Sequence, residues 1–279
     1  MLQVTVALPS GYSEKFSIAQ SSTVSDLARL AQKSFQRGFL RLVAADHHVL
    51  NPNLTLREAG FEDESHCTAI VLEAKLAAAA KAFALFCPGG DRVITWGQPD
   101  CGGDSSVERP LFKGVQQVQA TNEALAAILA DGSVVPWGDH DFGGDSSYVQ
   151  DQLKGVQRVQ ATSEAFAAIL ADGSIVTWGR PDSGGDSSEV QDQLKGVQQV
   201  QANWYAFAAI LADESVVTWG FPDSGGDSSG DQDRLKGVQQ VQATNFAFAA
   251  ILAGGSVLPW GSTDSCGYLS PVAAKCAYM

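Results

Sequence analysis

The chain has 279 residues, 45% of them hydrophobic, with six Trp and 28 Gly, enough for one large domain or two ordinary ones. Its formal charge is -13, from 31 acidic and 18 basic side chains. That balance leaves no basic footprint for nucleic acid, and no apolar run is long enough to span a membrane, so neither is an expected partner. Residues 1–80 carry 7 basic and 8 acidic groups, whereas residues 81–279 carry 11 and 23. The second region therefore holds almost all of the excess negative charge.

The first residues, "MLQVTVALPSGYSEKFS", alternate like a strand and lack the basic leader and unbroken apolar run of a secretory signal. "LQVTVAL" and "KFSI" predict two strands joined by a "PSG" turn. "SSTVSDLARLAQKSF" predicts a helix that Ser22 or Thr23 can cap, with Val24, Leu27, Leu30 and Ala31 on one face. "FLRLV" and "CTAIVLE" predict two more strands, and "LTLREAGF" between them a short helical turn ending at Gly60.

This order of elements, and above all "LNPNLTLREAGFEDESHCTAIVLE", resembles a ubiquitin-like β-grasp domain over residues 1–73. The resemblance implies recruitment of a partner, in some members within ubiquitin-related systems. Ubiquitin ends in a diglycine tail used for conjugation, whereas here the last strand runs into "AKLAAAAKAF". Use as a conjugated modifier is therefore not expected. The alanine-rich stretch has high helix propensity and predicts a helical connector over 74–81, with a degenerate repeat strand as the other reading.

From residue 82 onward the sequence repeats. Trp-Gly occurs at Trp96, Trp137, Trp178, Trp219 and Trp260, always 41 residues apart. A fixed period of this length marks a repeat architecture. Each full copy predicts three strands, exemplified by "GVQQVQA", "AFAAILA" and "SVVTWG", with a tight Asp-Gly turn at Asp131 and Asp172 between the last two. Such a copy cannot bury a face alone and gains a core by packing on its neighbour, with the Trp as wedge.

"GVQRVQATSEAFAAILADGSIVTWG", Gly155 to Gly179, resembles the repeat of the regulator-of-chromosome-condensation family, whose members form β-propellers. The resemblance implies a propeller-like all-β domain over 82–279, with an open arc or a β-solenoid as the alternative. The departures are specific. Ala124, Ala165, Ala206 and Ala247 stand where that family usually has His, and five Trp-Gly units are fewer than its usual seven. The last copy ends in "GYLSPVAAKCAYM" without "LKGVQQVQA", and the segment near residues 81–86 is a candidate to complete it.

Four copies of D-x-G-G-D-S-S follow the Trp-Gly pairs. Their carboxylates are Asp100 and Asp104, Asp141 and Asp145, Asp182 and Asp186, and Asp223 and Asp227. Paired Asp, Ser hydroxyls and loop carbonyls are hard oxygen ligands, so calcium is the one cofactor these loops suggest. Yet the spacing matches no EF-hand or nonapeptide ladder, and Asp, Ser and Gly-Gly equally build turns. A serine nucleophile is the weaker reading. G-x-S-x-G is missing, and of His47, His48, His66 and His140 only the last lies in the repeats. A non-enzymatic protein is expected.

Where near-identical copies differ, a binding face is expected. Before the Ala/Leu strand stand Asn122-Glu123, Ser163-Glu164, Trp204-Tyr205 and Asn245-Phe246. After Trp-Gly, the variable residues include His140, Arg180 and Phe221. Trp204, Tyr205, Phe221, Phe246, His140 and Arg180 are thus the candidate protein-binding residues, and the acidic surroundings favour a partner with a basic segment. Five scattered cysteines (Cys67, Cys87, Cys101, Cys266, Cys276) fit free thiols in a reducing compartment, the cytoplasm or the nucleus. The expected function is an interaction scaffold or adaptor, with substrate recognition in a ubiquitin-related pathway as the role the resemblances imply. Guanine-nucleotide exchange and calcium binding are the alternatives.

Overall fold

A computed structural model describes residues 1–266 of the chain, which divides into two units, Met1–Lys75 and Leu76–Met279. In the first unit β1 (Leu2–Ala7) and β2 (Ser13–Ile18) form a hairpin, α1 (Val24–Phe35) follows, and β3 (Phe39–Ala44) and β4 (Ser65–Leu72) complete one sheet. The strand order is β2-β1-β4-β3, with β1 and β4 parallel at the centre.

Thr23 is the residue that caps α1. Its hydroxyl accepts the Asp26 N–H at 3.2 Å, and the Asp26 carboxylate accepts the Thr23 N–H at 2.9 Å. Val24, Leu27, Ala28, Ala31 and Phe35 form the buried face, while Leu30, expected on that face, is exposed. "LTLREAGF" closes a single turn through the Ala59 N–H to Thr55 carbonyl bond and ends at Gly60, at φ 77°.

Among the described residues the second unit contains five three-stranded sheets. They are β5 (Lys75–Ala78), β6 (Ala82–Phe86) and β7 (Val93–Gly97); β8 (Gln117–Ala120), β9 (Ala124–Ile128) and β10 (Val134–Gly138); and β11 (Val156–Ala161), β12 (Ala165–Leu170) and β13 (Ile175–Gly179). The fourth and fifth are β14 (Val197–Ala202), β15 (Ala206–Leu211) and β16 (Val216–Gly220), then β17 (Val238–Ala243), β18 (Ala247–Leu252) and β19 (Val257–Gly261).

The helical connector expected over 74–81 is not formed. Lys75–Ala78 is strand β5, and the Ala79 N–H bonds the Ala82 carbonyl at 2.9 Å, as the Thr121 N–H bonds the Ala124 carbonyl in the next copy. Alanine resists strand formation only weakly, so an available neighbour strand outweighs its helix propensity. Nor does the segment near 81–86 complete the last copy: Ala82–Phe86 is the central strand of the first sheet. The final "GYLSPVAAKCAYM" and Cys276 lie outside the described residues.

No sheet has its own core. Ala124, Ala126, Ile128 and Val134 of the second sheet pack with Phe166, Ala168, Val176 and Trp178 of the third, and the same arrangement recurs at each of the four junctions. Backbone bonds tie the copies at two places. One ladder runs from the Ala80 N–H to the Asn122 carbonyl (2.8 Å), Asn122 to Ser163 (2.8 Å), Ser163 to Trp204 (2.9 Å) and Trp204 to Asn245 (3.1 Å). The other joins the start of the first strand in the second to fifth copies to the preceding hairpin turn, as from the Val156 N–H to the Gly132 carbonyl at 2.8 Å. Among the described residues no core joins the fifth sheet to the first.

Candidate functional site

The GGDSS segments are joints between copies. After each of the first four Trp-Gly pairs the chain makes a 3-10 turn, such as Pro181–Ser183, and leaves it at a glycine with φ near +90°: Gly102, Gly143, Gly184 and Gly225. The carbonyl of that glycine accepts the indole N–H of the next copy's Trp, from Trp137, Trp178, Trp219 and Trp260, at 3.0, 3.0, 3.1 and 3.2 Å. A Cβ on Gly184 would lie 2.5 Å from the Phe207 ring, so the close approach requires glycine. The first Ser of each segment is buried, and its hydroxyl is bonded inside the copy, as in the 3.1 Å contact of Ser187 with Thr177.

Asp104, Asp145, Asp186 and Asp227 each accept the N–H two residues on, at 2.8–2.9 Å, as Asx turns. That amide hydrogen bond holds Asp104, Asp145 and Asp227 below the usual carboxylate range. Asp100, Asp141, Asp182 and Asp223 stand exposed on the 3-10 turns. The eight carboxylates are distributed two to a copy. Among the described residues no three His, Cys, Asp or Glu side chains converge as metal ligands.

The variable positions do converge, in part. Trp204, Tyr205, Phe221 and Phe246, from the fourth and fifth copies, form one aromatic cluster. Trp204 meets Phe246 edge-on at 5.2 Å between ring centroids and Tyr205 at 6.4 Å; Tyr205 stacks on Phe246 at 6.0 Å and meets Phe221 at 6.3 Å. Trp204 is 47% exposed and Phe221 44%. Phe221 lines a groove of about 970 Å³ whose rim carries Asp182, Asp186, Glu189 and Asp227 and no Lys or Arg. Trp204 lines a second groove, of about 560 Å³, along the backbone ladder from Ala80 to Asn245.

His140 and Arg180 lie outside this cluster. The His140 ring is 3.4 Å from both Asp141 and Asp145, and Arg180 is 3.3 Å from Glu164, which also accepts the Ser183 hydroxyl at 2.8 Å. Lys81 and Glu123, not singled out from the sequence, form a 2.5 Å ion pair. The Lys81 hydrogen bond holds the Glu123 carboxyl below its ordinary value. Lining up the copies one residue at a time would have found them, because Lys81, Glu123, Glu164, Tyr205 and Phe246 are equivalent positions. The row is thus charged in the first three copies and aromatic in the last two. Cys67, Cys87 and Cys101 are buried and in no disulfide, and no helix among the described residues is long and apolar enough to cross a membrane.

No family model matches the sequence, and no curated protein is matched. Solved structures to which the chain is similar include the CRINKLY WD40 ectodomain of the Arabidopsis thaliana receptor kinase ACR4, at 19% identity, with 70% of this chain and 67% of that one aligned and a TM-score of 0.44. The entire ectodomain of the Physcomitrella patens receptor kinase CR4 aligns at 17% identity, over 67% and 50%, with a TM-score of 0.43. Prp20p from Saccharomyces cerevisiae, a structure that also treats its binding to Gsp1p and histones, aligns at 14%, over 67% and 56%, with a TM-score of 0.46. The chain spans about half the length of the latter two. Likenesses at this level carry no functional argument.

Proposed function

We propose that the chain is a non-enzymatic interaction scaffold whose second unit binds a protein segment through the Trp204–Tyr205–Phe221–Phe246 cluster. The observation that carries this reading is the convergence of four aromatics, from two copies of a repeat that elsewhere bears polar residues or alanine there, into one partly exposed patch. Partly exposed aromatic anchors are what dominate protein interfaces. The carboxylates of the adjoining groove favour a segment that sets Lys or Arg beside an apolar anchor. The first unit, with its β2-β1-β4-β3 order and single helix, supports the ubiquitin-like reading, and with it a role as adaptor in a ubiquitin-related pathway.

The test is selection of displayed random peptides on the full chain, followed by affinity measurement on wild type, the Trp204→Ala/Phe221→Ala double variant and His140→Ala. Enriched peptides should be basic with an aromatic or aliphatic anchor. The double variant should weaken them at least about ten-fold, while His140→Ala leaves them unchanged. Peptides that bind the folded double variant as well as wild type would remove the cluster from the function.

A further inference from the structure

The four interior junctions define what each sheet face is built to meet. On the side toward the preceding copy, the third sheet presents Val159, Phe166, Ala168, Val176 and Trp178, all buried. The first sheet has Leu76, Phe83, Leu85, Ile94 and Trp96 at the same five positions, and no copy precedes it. Phe83 and Trp96 are stacked at 5.4 Å, as the interior pairs Phe166–Trp178 and Phe207–Trp219 are at 5.1 Å. Yet Trp96 is 44% exposed and Phe83 40%, whereas Trp178 and Phe166 are fully buried. Among the described residues no glycine carbonyl faces the Trp96 indole N–H as Gly102, Gly143, Gly184 and Gly225 face the other four.

At the other end, the fifth sheet presents the receiving side. Ala247, Ala249, Ile251 and Val257 repeat the residues Ala165, Ala167, Ile169 and Ile175 on which the Phe207–Trp219 pair sits. Ile251 is 38% exposed and Val257 36%, against 5% and 1% for Ile169 and Ile175. Terminal copies of a repeat array normally carry a polar outer face, which keeps the array soluble. Neither end does so here, and each is one half of a contact the chain already makes four times.

We infer that the two ends dock on each other between copies of the chain, so that the Phe83–Trp96 face of one molecule seats on the Ile251–Val257 face of another. The occupant follows from continuity with the interior junction, whose residues both ends retain. Leu85 and Ile94 are larger than Ala168 and Val176, so the contact between molecules is a variant of the interior one. Such a contact is heterologous, joining unlike faces, and it propagates head to tail.

The experiment is sedimentation of the full chain over a concentration series, with Trp96→Glu and Ile251→Glu made separately at these solvent-exposed positions. Wild type should grow in mass with concentration, and each variant alone should remain a monomer with an unchanged melting temperature. Mixed, the variants should give a 1:1 dimer that grows no further, because one keeps an intact fifth-sheet face and the other an intact first-sheet face. A monomeric wild type at every concentration overturns the proposal. Association only after removal of residues 267–279 overturns it in favour of the chain's own terminus as occupant. A mixture that stays monomeric, while wild type associates, overturns the head-to-tail contact. All three readouts are independent of the Trp204 cluster.

Discussion

Among the described residues the first unit has one core and the second has four. In the first, Val4 and Val6 of β1, Leu27 and Ala31 of α1, Leu40 and Leu42 of β3 and Cys67 and Ala69 of β4 all pack together. Residues more than sixty positions apart in sequence share one interior, and none of the elements is covered without the others. In the second unit every core is shared by two consecutive sheets and by no third. Stability there is approximately a sum over neighbouring pairs, and an end copy has half the partners of an interior one. One unit stands or falls together, whereas the other can lose a junction and keep the rest.

The largest test of that contrast removes a buried side chain from each. Trp178→Ala, which empties the second-to-third junction and leaves the Gly143 carbonyl without its indole donor, should cost about 3–5 kcal/mol. Leu27→Ala should cost the first unit about 2–5 kcal/mol. Native-state hydrogen exchange separates the outcomes. Leu27→Ala should raise exchange throughout the first unit and nowhere else. Trp178→Ala should raise it most in β8–β13 and progressively less toward β19. Uniform loss of protection across all five sheets would mean that they fold as one block.

The same contrast decides what was legible in the sequence. A 41-residue period and an Asp-Gly turn report local geometry, so the three strands of each copy could be read from one copy alone. The aromatic cluster was legible because the copies agree elsewhere, which makes Trp204 and Phe221 stand out without structural knowledge. The joint was not. The bond from Trp178 Nε1 to the Gly143 carbonyl spans 35 residues, and nothing in D-x-G-G-D-S-S separates an interface glycine from a metal-loop glycine. Trp96 carries the same Trp-Gly signature as the buried four, because exposure depends on whether a copy precedes it. Leu30 is two residues from Ala28 and so about 200° around α1 from it, which sets Leu30 off the buried face that Val24, Leu27, Ala28, Ala31 and Phe35 share.

Acid offers a smaller and more selective perturbation. Asp131, Asp172 and Asp213 hold the hairpin turns of three copies, each accepting a Ser hydroxyl at 2.6 Å and the same residue's N–H at 2.9–3.0 Å. The hydroxyl bond first, and the amide bond second, lower all three carboxyl pKa values. A folded-state pKa below the unfolded value contributes stability that is present above the unfolded value, about 4, and lost as pH falls through the folded one. All six Trp lie at or beyond position 96, so Trp fluorescence reports the second unit alone. Its melting temperature should drop as pH falls below about 4. In the Asp131→Asn/Asp172→Asn/Asp213→Asn variant, which keeps an oxygen acceptor but cannot titrate, the drop should be shallower. Identical acid profiles would place the sensitivity in other carboxylates.

The smallest effect comes from a single turn that departs from its repeat. Between β15 and β16 the left-handed position is held by Glu214 at φ 65°, where the equivalent Gly132, Gly173 and Gly255 sit at 77°, 77° and 74°. A side chain in that region costs about 1–2 kcal/mol, and glycine returns part of the gain through the greater freedom of the unfolded chain. Glu214→Gly should therefore stabilise by about 0.5–1 kcal/mol, measured by denaturant titration of Trp fluorescence. The reverse change, Gly173→Glu, adds the same conformational cost and sets a Cβ 3.0 Å from the Gly196 backbone, so it should destabilise by more than Glu214→Gly gains. Because the Glu214 carbonyl also accepts the Val238 N–H at 2.9 Å, the benefit should be shared by the fourth and fifth copies and leave the first unit untouched. A gain spread evenly over all five sheets would show coupling beyond nearest neighbours. A gain confined to β15 and β16 would show that the turn-to-strand bonds carry little of the junction energy, and that the Phe–Trp layer carries the rest.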